Sequence, residues 1–241
     1  MDSSDSRRPV IPLERMESAE ILACVEPFVS ARPPEIEALS RSATRVRRPA
    51  GGAVLHEGQP SDGLYVVLRG RVNLVRVADG GRDLILSTLG TGDVFGEVAG
   101  FGGGPMSTTA VTAVHCELLR IPAEALVEHL RREPETMIRL MRMQYERLRD
   151  IESVASGLAL CDVEERLRRT LARLAKRQGR RVPANAGWIL APVPTQSELA
   201  RMVGSCRETV SRTLSAMART GLVTSSGRRM IVTDDLINSY P

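Results

Sequence analysis

Residues 194–214 read PTQSELARMVGSCRETVSRTL, and this stretch decides the fold of the carboxyl-terminal part of the chain. Thr195, followed three residues later by Glu198, forms a capping-box signature that predicts the start of a helix. Gly204 lies where a short apolar helical pattern ends, and glycine tolerates the backbone of a sharp turn between two helices. The stretch therefore predicts a helix, a tight turn and a second helix.

The second predicted helix has an apolar face and a charged face. The apolar residues that we expect to be buried are Val210, Leu214 and Met217. The opposite face carries Arg207, Glu208, Ser211 and Arg212. A guanidinium can donate two hydrogen bonds to guanine, a carboxylate can accept one from cytosine, and base contacts concentrate near the start of a recognition helix. This face is therefore suited to the major groove of DNA.

Hydroxyl and guanidinium groups around the two helices are suited to the DNA backbone, where contacts set the register without reading the sequence. Residues 222–232 predict a two-stranded wing, with Arg228 and Arg229 near its tip. The predicted backbone contacts are Thr195, Arg201, Ser205, Thr209, Ser211 and Arg228.

Charge is divided unevenly along the chain. Residues 160–241 carry 14 Lys and Arg against 7 Asp and Glu, a net of +7, whereas residues 1–159 carry 19 against 22, a net of −3. A basic carboxyl-terminal third indicates a polyanionic partner for that part. The alternative is a solvated basic surface, and the charged helix face favours DNA.

Residues 51–121 predict an antiparallel β-domain. Short runs rich in Val, Leu and Ile alternate with Gly, Asp and Pro at intervals of roughly 8–12 residues, which is typical of a β-roll, barrel or sandwich. Asp79-Gly80-Gly81 predicts a hairpin turn, because glycine accepts positive φ. Upstream, residues 18–46 predict short helices.

A long helix is predicted downstream of the β-domain. Pro122 and Pro134 each mark a helix start, where proline is tolerated. Apolar residues then recur at spacings of three and four over about six turns. This stripe consists of Ile138, Met141, Tyr145, Leu148, Ile151, Ala155 and Leu158. It either pairs with the same helix of a second copy or packs on its own β-domain, and its length favours a dimer.

Residues 195–214 resemble the DNA-reading element of the cyclic-AMP receptor protein/fumarate-nitrate regulator (CRP/FNR) superfamily. Residues 207–212, RETVSR, match its recognition-helix core nearly residue for residue. The resemblance covers roughly residues 20–240 and includes residues 51–58, 64–70 and 86–97. The last of these is similar to the lead-in to the family's nucleotide-binding cassette. Pro134 and Asp162 also stand where the family has a helix-opening proline and a hinge aspartate.

The resemblance implies an α+β fold: a double-stranded β-roll of the cyclic-nucleotide-binding type, a long dimerisation helix and a winged helix-turn-helix. It also implies a homodimer that binds two TGTGA-like half-sites about one helical turn apart and that touches RNA polymerase. The base readers would be Arg207, Glu208 and Arg212.

Domain boundaries follow from these patterns. We predict a disordered tail (residues 1–17), a β-roll sensor domain (18–121), helices including the dimerisation helix (122–158) and the winged helix-turn-helix (159–241). A hinge is predicted at residues 157–162, with Asp162 capping a helix over 163–177 and a loop at 179–188.

The setting that we expect is the cytoplasm. No stretch approaches the ~20 apolar residues of a membrane span, and the amino terminus lacks the apolar core of a signal peptide. The four scattered cysteines indicate neither a zinc site nor a disulfide framework. We therefore expect no membrane partner and no bound metal.

The resemblance implies an effector pocket at Gly96, Glu97, Ser107, Thr108 and Arg147. In cyclic-AMP-binding members an arginine near position 107 neutralises the phosphate, and a buried phosphate needs a cation or several N–H donors. Here Ser107 and Thr108 stand in its place, and the family's adenine-binding Thr-Ser pair falls on Ile151-Glu152. Tight cyclic-AMP binding is therefore disfavoured. Another cyclic nucleotide, such as cyclic di-GMP, or no ligand stays open.

Other sensors and functions are less well supported. Only Cys24 stands where an iron–sulfur cluster would need several cysteines. The adjacent residues His115 and Cys116 suggest haem binding, and Cys161 suggests redox sensing. Ordinary packing of these side chains is the alternative. The sequence has no nucleophile–base pair and no phosphate-binding glycine loop, so we do not expect an enzyme. A cyclic-nucleotide-binding module that acts on a protein partner is the alternative function, and the charged helix face disfavours it.

Overall fold

The computed structural model describes residues 12–78, 80–97, 101, 104–182 and 187–240. Contacts divide the chain into two compact units. One comprises the residues up to Arg76 together with Leu86–Arg149, and the other comprises Val77–Ile85 together with the residues from Asp150 onward. None of the helices in the described part has the length and apolar character needed to cross a membrane.

Eight short strands form two four-stranded antiparallel sheets, which confirms the predicted β-roll. The strand orders are β1-β8-β3-β6 and β2-β7-β4-β5. The strands are β1 (Thr44–Arg48), β2 (Ala53–Leu55), β3 (Gly63–Arg69), β4 (Val72–Val77), β5 (Asp83–Leu89), β6 (Val94–Phe95), β7 (Thr109–Thr112) and β8 (Cys116–Pro122).

Strand β3 carries five consecutive hydrophobic residues, 64–68. Alternate residues of a strand point to opposite faces of its sheet. Leu64, Val66 and Leu68 join the core beneath the helices. Tyr65 and Val67 join a second core, which includes residues of the other sheet. Both faces of β3 are therefore buried, and both require apolar side chains.

The helices of this part of the chain pack on the first core. A 3-10 helix (Leu13–Arg15) is followed by α1 (Ser18–Cys24), α2 (Pro33–Ser42), α3 (Ala123–Arg132) and α4 (Pro134–Leu160). Leu13 is 3% exposed and belongs to that core, and Met16 packs against it, so residues 13–16 are folded where we predicted a tail. Residues 1–11 of the predicted tail and Asp79 of the predicted turn lie outside the described residues.

Prolines stand at the start of two of these helices. Pro33 and Pro34 open α2 at its first positions, where the missing N–H is harmless. Pro122 ends β8 and flanks α3, which begins at Ala123.

Helix α4 spans 27 residues and has two apolar faces. Leu140 is fully buried in the first core, with Met137 and Met143 packed beside it. The predicted stripe lies on the other side, where Met141 and Tyr145 are 61% and 62% exposed. The helix continues through Gly157 to Leu160, so the irregular connection is shorter than the predicted hinge.

The second unit is built on helices α5–α8 and a small sheet of order β11-β12-β10-β9. Its elements are α5 (Val163–Gln178), β9 (Arg180–Arg181), β10 (Trp188–Leu190), α6 (Gln196–Val203), α7 (Arg207–Arg219), β11 (Val223–Ser226), β12 (Arg229–Val232) and α8 (Asp234–Asn238). Elements β9, β10 and α8 were not predicted, because two to five residues are too few to show a period. Asp162 caps α5 as predicted, since its Oδ1 accepts from the Glu165 backbone N–H at 2.8 Å.

Candidate nucleic-acid interface

Helix α6 begins with the predicted capping box. The Thr195 backbone N–H donates to Glu198 Oε2 at 2.8 Å, and the Glu198 N–H donates to Thr195 Oγ1 at 3.2 Å. These two bonds satisfy two backbone donors that a helix start leaves without intrahelical partners. The hydroxyl that we predicted for the DNA backbone is thus first a structural cap.

The turn between α6 and α7 requires glycine for two reasons. Gly204 has φ +60° and ψ 49°, the left-handed conformation that side chains disfavour. A Cβ built on it would also lie 2.8 Å from Leu158 Cδ2 at the end of α4. The predicted helix-turn-helix is therefore present, and its turn packs closely against α4.

Helix α7 separates its buried and charged faces as predicted. Val210 and Met217 are 0% and 1% exposed and anchor the helix in the core of the second unit, while Leu214 is half-buried. The three predicted base readers, Arg207, Glu208 and Arg212, are all exposed on the opposite face. Arg207 and Glu208 are the first two residues of the helix, where donors and acceptors can reach base edges.

Glu208 is held in its charged form. Its pKa lies below the usual value because the carboxylate accepts a hydrogen bond from its own backbone N–H and one from Cys206. The neighbouring guanidinium groups of Arg207 and Arg212 lower the pKa further. The side chain is therefore an acceptor at neutral pH, as hydrogen bonding to a cytosine amino group requires.

Four of the six predicted backbone contacts fall into two groups. Ser205, Thr209 and Ser211 are half-buried around the start of α7, and Thr209 Oγ1 lies 3.5 Å from Arg212 Nη2. Arg228 is exposed at the wing, next to exposed Arg229. The three hydroxyl groups therefore lie within a few residues of the predicted base readers, and the Arg228 guanidinium lies on the wing.

Arg201 differs from the expectation of a free phosphate-binding group. Its Nε donates to Asp83 Oδ1 at 2.7 Å, and its Nη2 pairs with Asp83 Oδ2. The partner is 118 residues away along the chain, so no local pattern could have indicated it.

The predicted effector residues are only partly brought together. Arg147 Nη1 donates to Glu97 Oε1 at 3.0 Å, and Arg147 Nη2 donates to the Val94 carbonyl at 2.8 Å. Both charged side chains are largely buried, at 13% and 14% exposure. The other carboxylate oxygen, Glu97 Oε2, is buried and has no hydrogen-bond partner among the described residues. This oxygen can accept a hydrogen bond from a hydroxyl group.

The remaining effector residues have different surroundings. Gly96 has φ +83°, and a Cβ on it would lie 2.4 Å from the Gly63 carbonyl oxygen, so the chain is tightly packed there. Ser107 is exposed, and its carbonyl accepts from Arg76 Nη1 at 3.2 Å. Thr108 is buried. The position of the family's phosphate-binding arginine therefore carries no cationic side chain.

The residues weighed for other sensor chemistry have ordinary surroundings. All four cysteines are free. Cys116 is buried, its thiol lies 3.3 Å from the Arg71 carbonyl oxygen, and burial raises the pKa of that thiol. Among the described residues, no three His, Cys, Asp or Glu side chains are grouped so that they could hold a metal ion.

Comparisons with known proteins match both parts of the chain. The family description "Cyclic nucleotide-binding domain" matches residues 45–133, and "Crp-like helix-turn-helix domain" matches residues 165–236. The chain is 33% identical over 217 residues to a CRP-like cAMP-activated global transcriptional regulator of Mycobacterium tuberculosis, covering 89% of this chain and 95% of that protein.

Solved structures share the fold. The c-di-GMP responsive global regulator CLP of Xanthomonas campestris has a TM-score of 0.68 at 29% identity, covering 84% of this chain and 99% of that one. FixK2 of Bradyrhizobium japonicum has a TM-score of 0.72 at 23% identity, covering 83% of this chain and 98% of that one.

The order of matched domains agrees with the order of elements in the structure, β-roll first and helix-turn-helix last. The named relatives are regulators, and the charged face of α7 has the chemistry of a DNA-reading helix. This chain therefore belongs to the CRP/FNR family and is a DNA-binding transcription regulator.

Proposed function

We propose that this regulator binds DNA as a homodimer, each copy placing α7 in the major groove of one TGTGA-like half-site of a palindrome. The observation that carries the proposal is the exposed set Arg207, Glu208 and Arg212 on a helix whose opposite face is buried. Each of the two guanidinium groups can donate two hydrogen bonds to a guanine edge, and the ionised carboxylate can accept one from cytosine.

Dimerisation through α4 is supported by its second apolar face. Ile138, Met141, Tyr145 and Leu148 are 45%, 61%, 62% and 51% exposed. Large apolar side chains at helical spacing on one exposed stripe are suited to the same stripe of a second copy. Ile151 is half-buried and Ala155 exposed, and both continue the stripe.

The experiment that tests DNA binding is a fluorescence-anisotropy titration. The full chain is titrated onto a TGTGA palindrome and onto a scrambled duplex over a range of salt concentrations, with and without a panel of cyclic nucleotides. We expect a preference of at least about 10³ for the palindrome and a linear fall of log affinity with log salt. Equal affinity for both duplexes under every condition would contradict the proposal.

An effector is proposed at Glu97. Its buried and unpartnered Oε2 can accept from a ligand hydroxyl, such as the hydroxyl of a ribose. The relatives named above include a cAMP-activated and a c-di-GMP responsive regulator. Ser107 supplies no cation for a phosphate, and the Arg147 guanidinium is already paired with Glu97. The resemblance also places Ile151 and Glu152 where cyclic-AMP-binding members hold adenine. We therefore favour a cyclic nucleotide other than cyclic AMP, or action without a ligand, over tight cyclic-AMP binding.

Calorimetric titration with cyclic AMP, cyclic GMP and cyclic di-GMP distinguishes these cases. We expect weak or no heat with cyclic AMP, and any stronger binding to be reduced in Glu97→Gln, whose amide no longer offers two acceptor oxygens. Tight binding of cyclic AMP that survives Glu97→Gln would contradict the assignment.

RNA polymerase is the proposed protein partner, because a dimer bound at a promoter lies beside the polymerase. The proposed location is the cytoplasm. A gel-shift assay with promoter DNA and polymerase tests the proposed partner. A ternary complex that needs both proteins is expected, and additive binding without cooperation would count against it.

A further inference from the structure

Arg201 of α6 is held by a carboxylate from a distant part of the chain. Its Nε donates to Asp83 Oδ1 at 2.7 Å, and its Nη2 pairs with the second carboxylate oxygen. Two parallel bonds between a guanidinium and a carboxylate form the strongest ion-pair geometry that proteins use. The two side chains are 35% and 29% exposed, so water and ions still reach the pair.

Asp83 lies on a hairpin that belongs to the second unit by its contacts. Residues 77–85 are grouped with the residues from Asp150 onward, whereas their chain neighbours Arg76 and Leu86 belong to the first unit. The Ala78 N–H donates to the Arg82 carbonyl at 2.8 Å, and Gly81 takes φ +73° in the turn. The backbone is therefore hydrogen-bonded across the turn just before Asp83, and the segment continues into the first unit at both ends.

The residue after Asp83 also reaches the helix-turn-helix. A Cβ built on Gly204 would lie 3.9 Å from Leu84 Cδ1, which is an ordinary van der Waals separation. The hairpin thus approaches both α6 and the turn that leads into α7. In this approach Asp83 contributes a charged side chain, and Leu84 contributes an apolar one.

The ion pair conflicts with the phosphate-binding role proposed for Arg201. A guanidinium that gives two donors to a carboxylate cannot give the same donors to a phosphate. DNA binding through Arg201 therefore requires the ion pair to open.

We propose that Asp83 competes with DNA phosphate for Arg201, so that the hairpin at residues 77–85 restrains the helix-turn-helix in the DNA-free protein. The proposal rests on the proposed DNA-binding function and adds its regulation. Opening a partly exposed ion pair removes roughly 0.2–1 kcal/mol of stabilising free energy. That free energy corresponds to a change in DNA affinity of up to about fivefold.

The first test is a double-mutant cycle in the anisotropy assay. Asp83→Asn is expected to tighten binding to the palindrome about two- to fivefold, and Arg201→Gln to weaken it. Asp83→Asn in the Arg201→Gln background is expected to have no effect. Glu164→Gln is the matched control, because it removes a carboxylate that pairs with Arg168 on α5, and its affinity should stay unchanged.

Several results would overturn the proposal. One is an unchanged DNA affinity in Asp83→Asn. Another is a tightening that persists in the Arg201→Gln background, or one that Glu164→Gln equals. Each of the last two results would indicate only a general charge effect. Circular dichroism checks that each variant is folded, and Asp83→Ser replaces Asp83→Asn if the latter is not.

Hydrogen–deuterium exchange provides a readout that does not depend on affinity. Without DNA, the amides of residues 77–85 should exchange faster in Asp83→Asn than in the unaltered protein. In the unaltered protein, the same amides should exchange faster with the duplex bound than without it. Unchanged exchange on DNA binding would show that the hairpin is not displaced. If no variant binds any duplex, the DNA-binding proposal itself has failed, and the flat titrations identify that case.

Discussion

Arg166 donates from its Nε to the carbonyl oxygen of Val203 at 2.8 Å. Its Nη1 donates to the Cys161 carbonyl at 2.7 Å, so one guanidinium joins the end of α6 to the chain just after α4. Carbonyl groups near helix ends lack intrahelical partners, and a cationic side chain satisfies them well. Arg166 therefore ties the turn of the helix-turn-helix to the connection before α5.

Replacing Arg166 by alanine should lower the free energy of unfolding of the second unit by about 1–3 kcal/mol, because two carbonyl oxygens lose a charged donor. Urea unfolding followed by circular dichroism measures this loss. Arg168→Ala, which removes a surface pair with Glu164, is the control and should lower it by less than about 1 kcal/mol. Equal losses in the two variants would contradict the role given to Arg166.

Gly204→Ala should destabilise the protein by roughly 1–2 kcal/mol from the left-handed backbone alone, with an added loss from the contact with Leu158. Gly227→Ala is the matched control, because Gly227 has φ +58° and a Cβ there meets nothing within 4 Å. The difference in thermal midpoint between the two variants isolates the packing of the turn. Identical midpoints would show that Leu158 moves aside freely.

Arg207→Ala and Arg212→Ala should each weaken binding to the palindrome by about 1–3 kcal/mol and relax the preference at one base pair. Anisotropy titrations against duplexes substituted at single positions of the half-site measure both effects. Arg168→Ala removes the same charge from α5 and should leave the base preference as it was. A uniform loss over all duplexes would reassign Arg207 or Arg212 to the DNA backbone.

Leu148→Glu should convert the dimer to a monomer, because it places a charge in the exposed apolar stripe of α4. Light scattering at several concentrations gives the mass. Arg149→Glu is the control, because it introduces a carboxylate at the next residue, outside the apolar stripe. This variant should remain dimeric. A dimer that persists in Leu148→Glu would move the interface away from this face.

We expect His129 to make the stability of the first unit depend on pH. Its ring is 4% exposed, lies edge-on to Phe28 with centroids 5.6 Å apart, and contacts Thr136 Oγ1 at 3.2 Å. Burial lowers the pKa of His129 below its usual value, although Glu133 and Glu35 act in the opposite direction.

The folded state therefore binds a proton less readily than the unfolded state does. The free energy of unfolding should fall as the pH drops below the ordinary histidine pKa of about 6.5. Urea midpoints at pH 7 and pH 5 measure the fall, which should be smaller in His129→Gln. The same fall in both proteins would show that the pH dependence does not come from His129.

Much of the helix-turn-helix could be predicted because its signals are local. The capping box at Thr195 and Glu198 and the glycine at position 204 each follow from bonds or backbone angles within a few residues. The β-runs and the α4 stripe were predictable for a similar reason, since burial on one face imposes a period of two or about 3.6 on the sequence. The short strands β9 and β10 show no such period.

The pattern of residues along the chain was thus enough to establish the order of domains, the charged face of α7 and the apolar stripe of α4. It could not establish that Arg201 meets Asp83 or that Arg166 meets Val203, because these partners lie 118 and 37 residues apart. Contacts at such separations depend on how whole elements pack. They become visible only when the folded chain brings the two side chains, or a side chain and a carbonyl, within hydrogen-bonding distance.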